Sequence, residues 1–233
     1  MVDSTGLLNV TAAHLHGAQP LVLGAELQAE AAPVRVSRLS YYLGEFRLRR
    51  GDGQWIESAR RASPAGDYVL IDMAMPNSLR FEALRATPGD YSALEFRVGV
   101  DAARNRAGVQ TGALDPAAGM FWTWQTGYIF LALEGQSPRS GAADHSLTYH
   151  LGGTERASRT IQLPFGPQPL RVRPGTPVAI ALHSDLQDFF RGLALEQTHT
   201  VMGADAAGEL ADRYARMFRV DAKAPVVVAA RSS

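Results

Sequence analysis

The amino-acid sequence predicts an all-β protein, an antiparallel Greek-key β-sandwich with one or two short surface helices. Apolar and polar residues alternate in short runs along most of the 233 residues, as strands with one buried face require. Almost every run stops at Gly, Pro, Asn or Asp, the residues that turn a chain. The longest unbroken apolar stretch, 128–133, is far shorter than the roughly 20 residues a membrane-spanning helix needs. A soluble chain without a transmembrane segment is expected.

Taken in order, the alternation places strands over 21–23, 34–43, 46–49, 68–72, 79–83, 92–100, 128–133, 146–151, 160–163, 170–173 and 178–182. Two segments break the pattern. In 205–218, Asp205 can cap an N-terminus, and Leu210, Tyr214, Met217 and Phe218 fall on one helical face, which predicts a surface helix packed on the sandwich. Residues 185–191, with Phe189 and Phe190, read as one or two helical turns within a loop. The stretch between Val100 and Phe121 is rich in Gly, Ala, Asp and Asn and reads as a structured loop, the kind of segment that carries function on a rigid scaffold. The length suits one domain over 1–233, with a core over about 7–220.

Composition narrows the function. The 23 basic residues balance the 23 acidic ones, so no net field draws the chain to nucleic acid or to an anionic membrane. With no cysteine, disulfides, thiolate metal sites, covalently attached haem and thiol nucleophiles are excluded together. Gly-x-Ser-x-Gly and Walker-type patterns are absent, so hydrolase and nucleotide-binding readings have no anchor. Asp101, Asn105 and Gly108 are spaced like part of a calcium loop. Yet Ala102, Ala103 and Arg104 fill the ligand positions, so Asp101 and Asn105 are expected to hydrogen-bond the loop carrying Met120 to Trp124. The opening Met1-Val2-Asp3-Ser4 lacks the basic and apolar regions of a signal peptide, as a mature secreted chain would.

A series of segments resembles the MbnP-like family of bacterial copper-associated proteins. They are His16-Gly17 followed by Pro20-Leu21, the run Leu39-Ser40-Tyr41-Tyr42-Leu43, Tyr68-Val69-Leu70-Ile71-Asp72, and Pro88-Gly89-Asp90-Tyr91. Phe96-Arg97-Val98-Gly99-Val100-Asp101 follows, with Asn105 and Gly108. The densest part runs from Asp115 through Gly119-Met120-Phe121-Trp122-Thr123-Trp124-Gln125-Thr126-Gly127-Tyr128 to Leu133-Glu134-Gly135. Tyr149-His150-Leu151-Gly152-Gly153, His199-Thr200-Val201-Met202 and Met217-Phe218 complete it. The resemblance implies a protein secreted to the periplasm of a Gram-negative bacterium, with a copper site built from histidines. It also implies, as in some members, a tryptophan oxidised to kynurenine by a di-haem partner of the peroxidase-like MauG/MbnH type. It implies a binding protein and not a self-sufficient enzyme.

Histidine is the strongest metal ligand left to a cysteine-free chain, and two neutral imidazoles plus a third nitrogen suit copper in either oxidation state. His14 and His16, two apart, share one face if they lie on a strand; the plainer reading makes one an exposed strand residue. His150 ends a strand before Gly152-Gly153, where another backbone or a ligand can approach closely; it could equally be a buried histidine satisfied by a carbonyl. His199, in a polar loop, is a ligand candidate or a partner of that loop, while His145 and His183 have only their residue type to recommend them.

Trp122 and Trp124 flank Thr123, so on an extended segment both indoles point one way, as in a core cluster. An indole N–H only donates, whereas kynurenine would supply an amine nitrogen and a carbonyl. Either tryptophan is a candidate for that modification. Family members with a described kynurenine have a histidine close to it in sequence, but here no histidine occurs between His16 and His145. Against the copper reading stands a metal-free carbohydrate- or peptide-binding module, which would need exposed, coplanar aromatics and scattered histidines.

Overall fold

The computed structural model describes residues 5–29, 32–57, 68–123, 127–203 and 207–221. Following the chain, the strands are β1 (Gly6–His16), β2 (Gln19–Pro20), β3 (Glu26–Gln28), β4 (Pro33–Arg50), β5 (Trp55–Glu57), β6 (Val69–Asp72), β7 (Arg80–Ala86) and β8 (Gly89–Val98). Then come helix α1 (Ala102–Ala107), β9 (Phe121–Trp122), β10 (Gly127–Gln136), β11 (Ser146–Gly152), β12 (Arg159–Pro164), β13 (Leu170–Val172) and β14 (Val178–Asp185). Helix α2 (Leu186–Phe190), β15 (Thr200–Gly203), α3 (Ala207–Arg216) and β16 (Phe218–Asp221) follow.

These strands make two sheets, as the alternation predicts. One has the order β16-β14-β1-β2, with β7 also on β1; the other runs β12-β8-β4-β10-β11-β15, and the short strands pair along it. Among the described residues the pairings are antiparallel except for two, β1 with β14 and β11 with β15, which run parallel. Parallel neighbours need a long crossover in place of a hairpin, so local alternation gives no hint of them.

Three expectations, two about strands and one about a loop, need correcting. Residues 21–23 are not a strand; the N-terminal strand is β1, whose Leu8, Val10, Ala12 and His14 alternate into the core. The segments 34–43 and 46–49 are one strand of 18 residues, β4. It pairs with β10 as far as Tyr41 and with β8 from Leu43 onward, and the pairing with β8 is irregular between Gly44 and Arg47, where Glu45 takes a left-handed φ of 53°. A side chain at Gly44 would run into the Tyr68 ring, which is why that bend carries a glycine. The stretch after Val100 is not only loop: Asp101 caps α1 through the backbone N–H groups of Ala103 and Arg104.

The two predicted helices form. Asp185 caps α2 by accepting from the Gln187 N–H, and Phe189 and Phe190 are buried beneath it. Helix α3 buries Leu210 and Tyr214, with Met217 and Phe218 following into the core; Asp205, expected as its cap, lies outside the described residues. No helix among the described residues is long and apolar enough to cross a membrane.

The second sheet has side chains packed on both faces, and this positions the site. Its inner face carries Leu39, Tyr41, Leu131, Leu133, Tyr149 and Leu151 toward the first sheet and α2. Its outer face carries Arg38, Ser40, Tyr42, Tyr128, Ala132, Glu134 and His150, by the alternation of a pleated strand. The segment from α1 to β9 lies over part of that outer face. Tyr128 anchors it: its hydroxyl sits 3.0 Å from the Gly108 carbonyl oxygen and 2.8 Å from that of Leu114, and accepts from the Gln110 N–H at 3.1 Å. Tyr42 and Phe121 pack edge-on against the Tyr128 ring, at centroid distances of 5.9 and 5.0 Å.

Asn105 closes the arrangement, though on different partners from those expected. Its side-chain oxygen accepts from the Tyr128 N–H at 2.9 Å and its amide donates to the Gly153 carbonyl at 3.0 Å, so it clamps the start of β10 to the end of β11. Asp101 accepts from Arg104 and the Tyr68 hydroxyl instead of reaching Met120 to Trp124.

Candidate functional site

The four candidate histidines are not brought together. His14 points between the sheets, 6% exposed, with Nε2 3.0 Å from the Tyr41 hydroxyl and its ring edge-on to Tyr41. Burial, which penalises the imidazolium, lowers its pKa to about 4, so the ring is neutral at neutral pH. His16 shares the strand face but lies at the strand end, its Nε2 2.9 Å from the Gln28 carbonyl oxygen. The strand geometry expected for this pair is present, yet one ring is committed to Tyr41 and the other to a backbone carbonyl.

His199 sits just before β15, its Nδ1 3.1 Å from the Thr200 hydroxyl, while its carbonyl accepts from the Thr148 N–H. That is the loop-partner role. Among the described residues, no group of three or more His, Asp and Glu side chains is placed to hold a metal ion.

His150 has a different environment. It follows the inward-facing Tyr149, so it projects from the outer face of the second sheet, on the opposite side from His14. Its Nε2 lies 2.8 Å from Glu134 Oε1, on the neighbouring strand β10. The same oxygen accepts from Arg38 Nη1 at 3.1 Å, from β4 on the other side. Burial alone would raise the Glu134 carboxyl, but the hydrogen bond with His150 and the Arg38 guanidinium hold it below the usual carboxylate range. Glu134 is therefore an anion shared between an imidazole and a guanidinium.

Arg38 continues the chain of contacts toward the segment that covers this face. Its Nη2 donates to the Gly119 carbonyl at 3.2 Å and lies 3.3 Å from Met120 Sδ. Met120 leads into β9, where Trp122 pairs with Gly127 and is 4% exposed. Trp122 is thus packed in the core, as the plainer reading has it; Trp124 lies outside the described residues. On the far side of His150 stands Met202, its partner in the parallel β11–β15 pair, with 49% of its surface exposed. The glycines after His150 do admit another backbone: a Cβ on Gly152 would collide with the Tyr128 carbonyl oxygen.

Arg38 and Glu134 were not among the candidates. A charged residue within an alternating strand reads as an ordinary solvated face, and only the register of β4, β10 and β11 sets the two beside His150. The Leu133-Glu134-Gly135 run was the available signal, since it puts a carboxylate in the middle of a buried strand.

Comparisons with known proteins agree with this architecture. The family model MbnP matches residues 5–203, a span that contains every candidate residue above. The solved structure of MbnP from Methylosinus trichosporium superposes with a TM-score of 0.59 at 18% sequence identity, covering 88% of this chain and 82% of that one, a likeness of fold. None of the curated proteins matches the sequence. With a family match over residues 5–203 and the same sandwich beneath it, this chain belongs to the MbnP family, and so to the methanobactin-related proteins.

Proposed function

We propose that this chain is a secreted, periplasmic copper-handling protein whose metal-binding centre is built around His150, and that it is not an enzyme in its own right. The observation that carries the reading is the Arg38–Glu134–His150 chain, which links an imidazole on the outer face, 14% exposed, to the Met120–Trp122 segment. Family membership supports it from a separate direction.

The donors present suit copper better than a harder ion. Around His150 the described residues offer an imidazole, the thioether of its register partner and one carboxylate, Glu134, already shared with Arg38, which is fewer oxygens than magnesium or calcium require. A tetrahedral zinc cage needs more His, Asp or Glu than stand here. A low-coordinate cuprous ion accepts such a set, and an amine from an oxidised tryptophan would add a nitrogen. Copper, when bound, would supply the redox-active, thiophilic centre; the chain's own residues orient the imidazole and cover one side.

Oxidation of Trp122 or Trp124 to kynurenine belongs to the same proposal. Opening an indole needs a strong oxidant, and with no cysteine or haem-attachment motif the chain carries no resident one. A di-haem protein of the peroxidase-like type is the proposed partner. The carbohydrate- or peptide-platform reading is less well served, since Trp122 is buried and two guanidiniums lie over the Trp55 ring, at 5.7 and 5.9 Å.

Peptide mass spectrometry with metal analysis, on protein from its native host, tests this. Stoichiometric copper that His150→Ala removes, with a kynurenine mass shift on the peptide holding Trp122 and Trp124, is the expected result. An unmodified peptide and no copper after incubation with Cu(I) would sink the reading.

A further inference from the structure

We infer that the surface formed by the ends of α2 and α3 together with β16 docks an acidic segment of a partner protein, through the guanidiniums of Arg191, Arg213, Arg216 and Arg219. None of these residues belongs to the copper reading above, so the two stand or fall separately.

The even charge count of the whole chain hides a local excess. Arg38, Arg97 and Arg159 each have a carboxylate of their own, in Glu134, Glu45 and Asp212. Here four arginines converge instead: Arg191 just after α2, Arg213 and Arg216 in the last turn of α3, and Arg219 in β16. Asp188 accepts from Arg191 on one carboxylate oxygen at 2.9 Å and from Arg219 on the other at 2.6 Å. Arg213 donates to the Arg191 carbonyl at 2.6 Å and Arg219 to the Arg216 carbonyl, so the four form one patch. Exposed Glu209 stands 3.8 Å from Arg213, and Asp221 lies two residues past Arg219, yet the cations still outnumber the anions.

What holds these side chains matters more than their number. Arg213 is fixed by the carbonyls of Phe189 and Arg191, and Arg219 by those of Arg216 and Phe218. A carbonyl positions a guanidinium without neutralising it, so side-chain freedom is lost in folding while the charge stays available to a partner. Arg191 and Arg219 display the geometry that an incoming carboxylate would meet, since they already hold one between two planar forks. The Arg216 side chain is exposed and makes no hydrogen bond or ion pair among the described residues. A protein segment fits this patch better than a bilayer. The large apolar residues exposed among the described ones are Val22, Met75, Val109 and Met202, none of them in these elements, so nothing here inserts among lipid chains. Arg191 and Arg219, 64% and 59% exposed, stand in water, where a single small oxyanion is weakly held and several carboxylates on one segment reinforce one another.

Fluorescence anisotropy of a labelled peptide of alternating glutamate and serine, titrated with the full chain, tests the assignment. Binding should weaken steeply as ionic strength rises from about 0.01 M to about 0.15 M, where the screening length falls from about 30 to about 8 Å. Arg216→Glu, which removes no contact within the described residues, should weaken the peptide by about three- to tenfold, and Arg191→Glu on top of it by a similar factor again. The control is Arg171→Glu on β13. It alters net charge equally from an exposed position beside Gly6, at the other end of β1, and should leave the affinity unchanged. Urea unfolding of each variant shows that it is folded. Absence of peptide binding at low salt, indifference to Arg216→Glu, or an equal loss with Arg171→Glu would each overturn the inference. So would tighter binding to phosphatidylcholine vesicles containing phosphatidylglycerol than to the peptide, which makes the patch a lipid surface, or displacement of the peptide by inorganic phosphate at matched ionic strength, which makes it an oxyanion site. Copper retention is untouched by every one of these outcomes.

Discussion

A histidine lies against each face of the second sheet, one reaching across from β1 and one rising from β11, and the two faces do opposite things with them. On the inner face, His14 meets Tyr41 between two walls of aliphatic and aromatic residues, with Phe218 edge-on to Tyr41 at 5.7 Å. On the outer face, His150 meets Glu134 beside a guanidinium and an exposed methionine. A histidine bonded to a neutral hydroxyl in a closed space is held uncharged and has nothing to offer a ligand. One bonded to an anion on the outer face is oriented by that anion. Partner and exposure, not residue type, separate the structural imidazole from the candidate ligand.

The sharpest way to separate the faces is to remove the pillar of the outer one. Tyr128→Ala takes away a fully buried ring and the hydroxyl that holds Gly108, Gln110 and Leu114. It should cost about 3–5 kcal/mol in urea unfolding, the range for deleting a buried aromatic. A loss under about 1 kcal/mol would mean that the covering segment is not held from beneath.

Acid probes the inner face through His14. The unfolded chain protonates His14 near 6.5, whereas the folded state resists until about 4. As the pH falls between those values the unfolded state binds more protons, so His14 withdraws about 3 kcal/mol of stability across that window, at about 1.4 kcal/mol per pKa unit. Chemical denaturation at pH 7.5 and pH 4.5 reads this directly, and His14→Gln should flatten the difference. An unchanged slope in that variant would show the histidine to be charged in the core.

The smallest effect is the most telling. His150→Ala removes a ring that is 14% exposed and should shift stability by about 1 kcal/mol, while copper retention is lost. A large destabilisation would make His150 a second structural histidine, and the contrast between the faces would disappear.

Local patterns carried much of the fold. The turns, the outer strands and the Asp185-capped helical turn were legible because each depends on neighbours close in sequence. Strand β1 was missed because Asn9, Ala12 and Ala13 are weak strand formers, and its neighbour β14 is far away in the chain. The site was legible in part. His150 stood out through the glycines that follow it, but its partners Arg38 and Glu134 lie 112 and 16 residues away, and nothing local distinguishes them from any exposed ion pair. His14 and His16 looked like a chelating pair because spacing along a strand says which face a ring leaves by and not what it meets there.

The parallel pairing of β1 with β14 has a kinetic consequence. Leu8 finds its partner Val178 across 170 residues of chain, so β1 cannot complete this pairing until β14 has been made. Until then β1 presents a bare hydrogen-bonding edge with an apolar stripe, a surface that invites pairing with a second unfinished chain. Truncations that remove β14 leave that edge uncovered and should therefore aggregate.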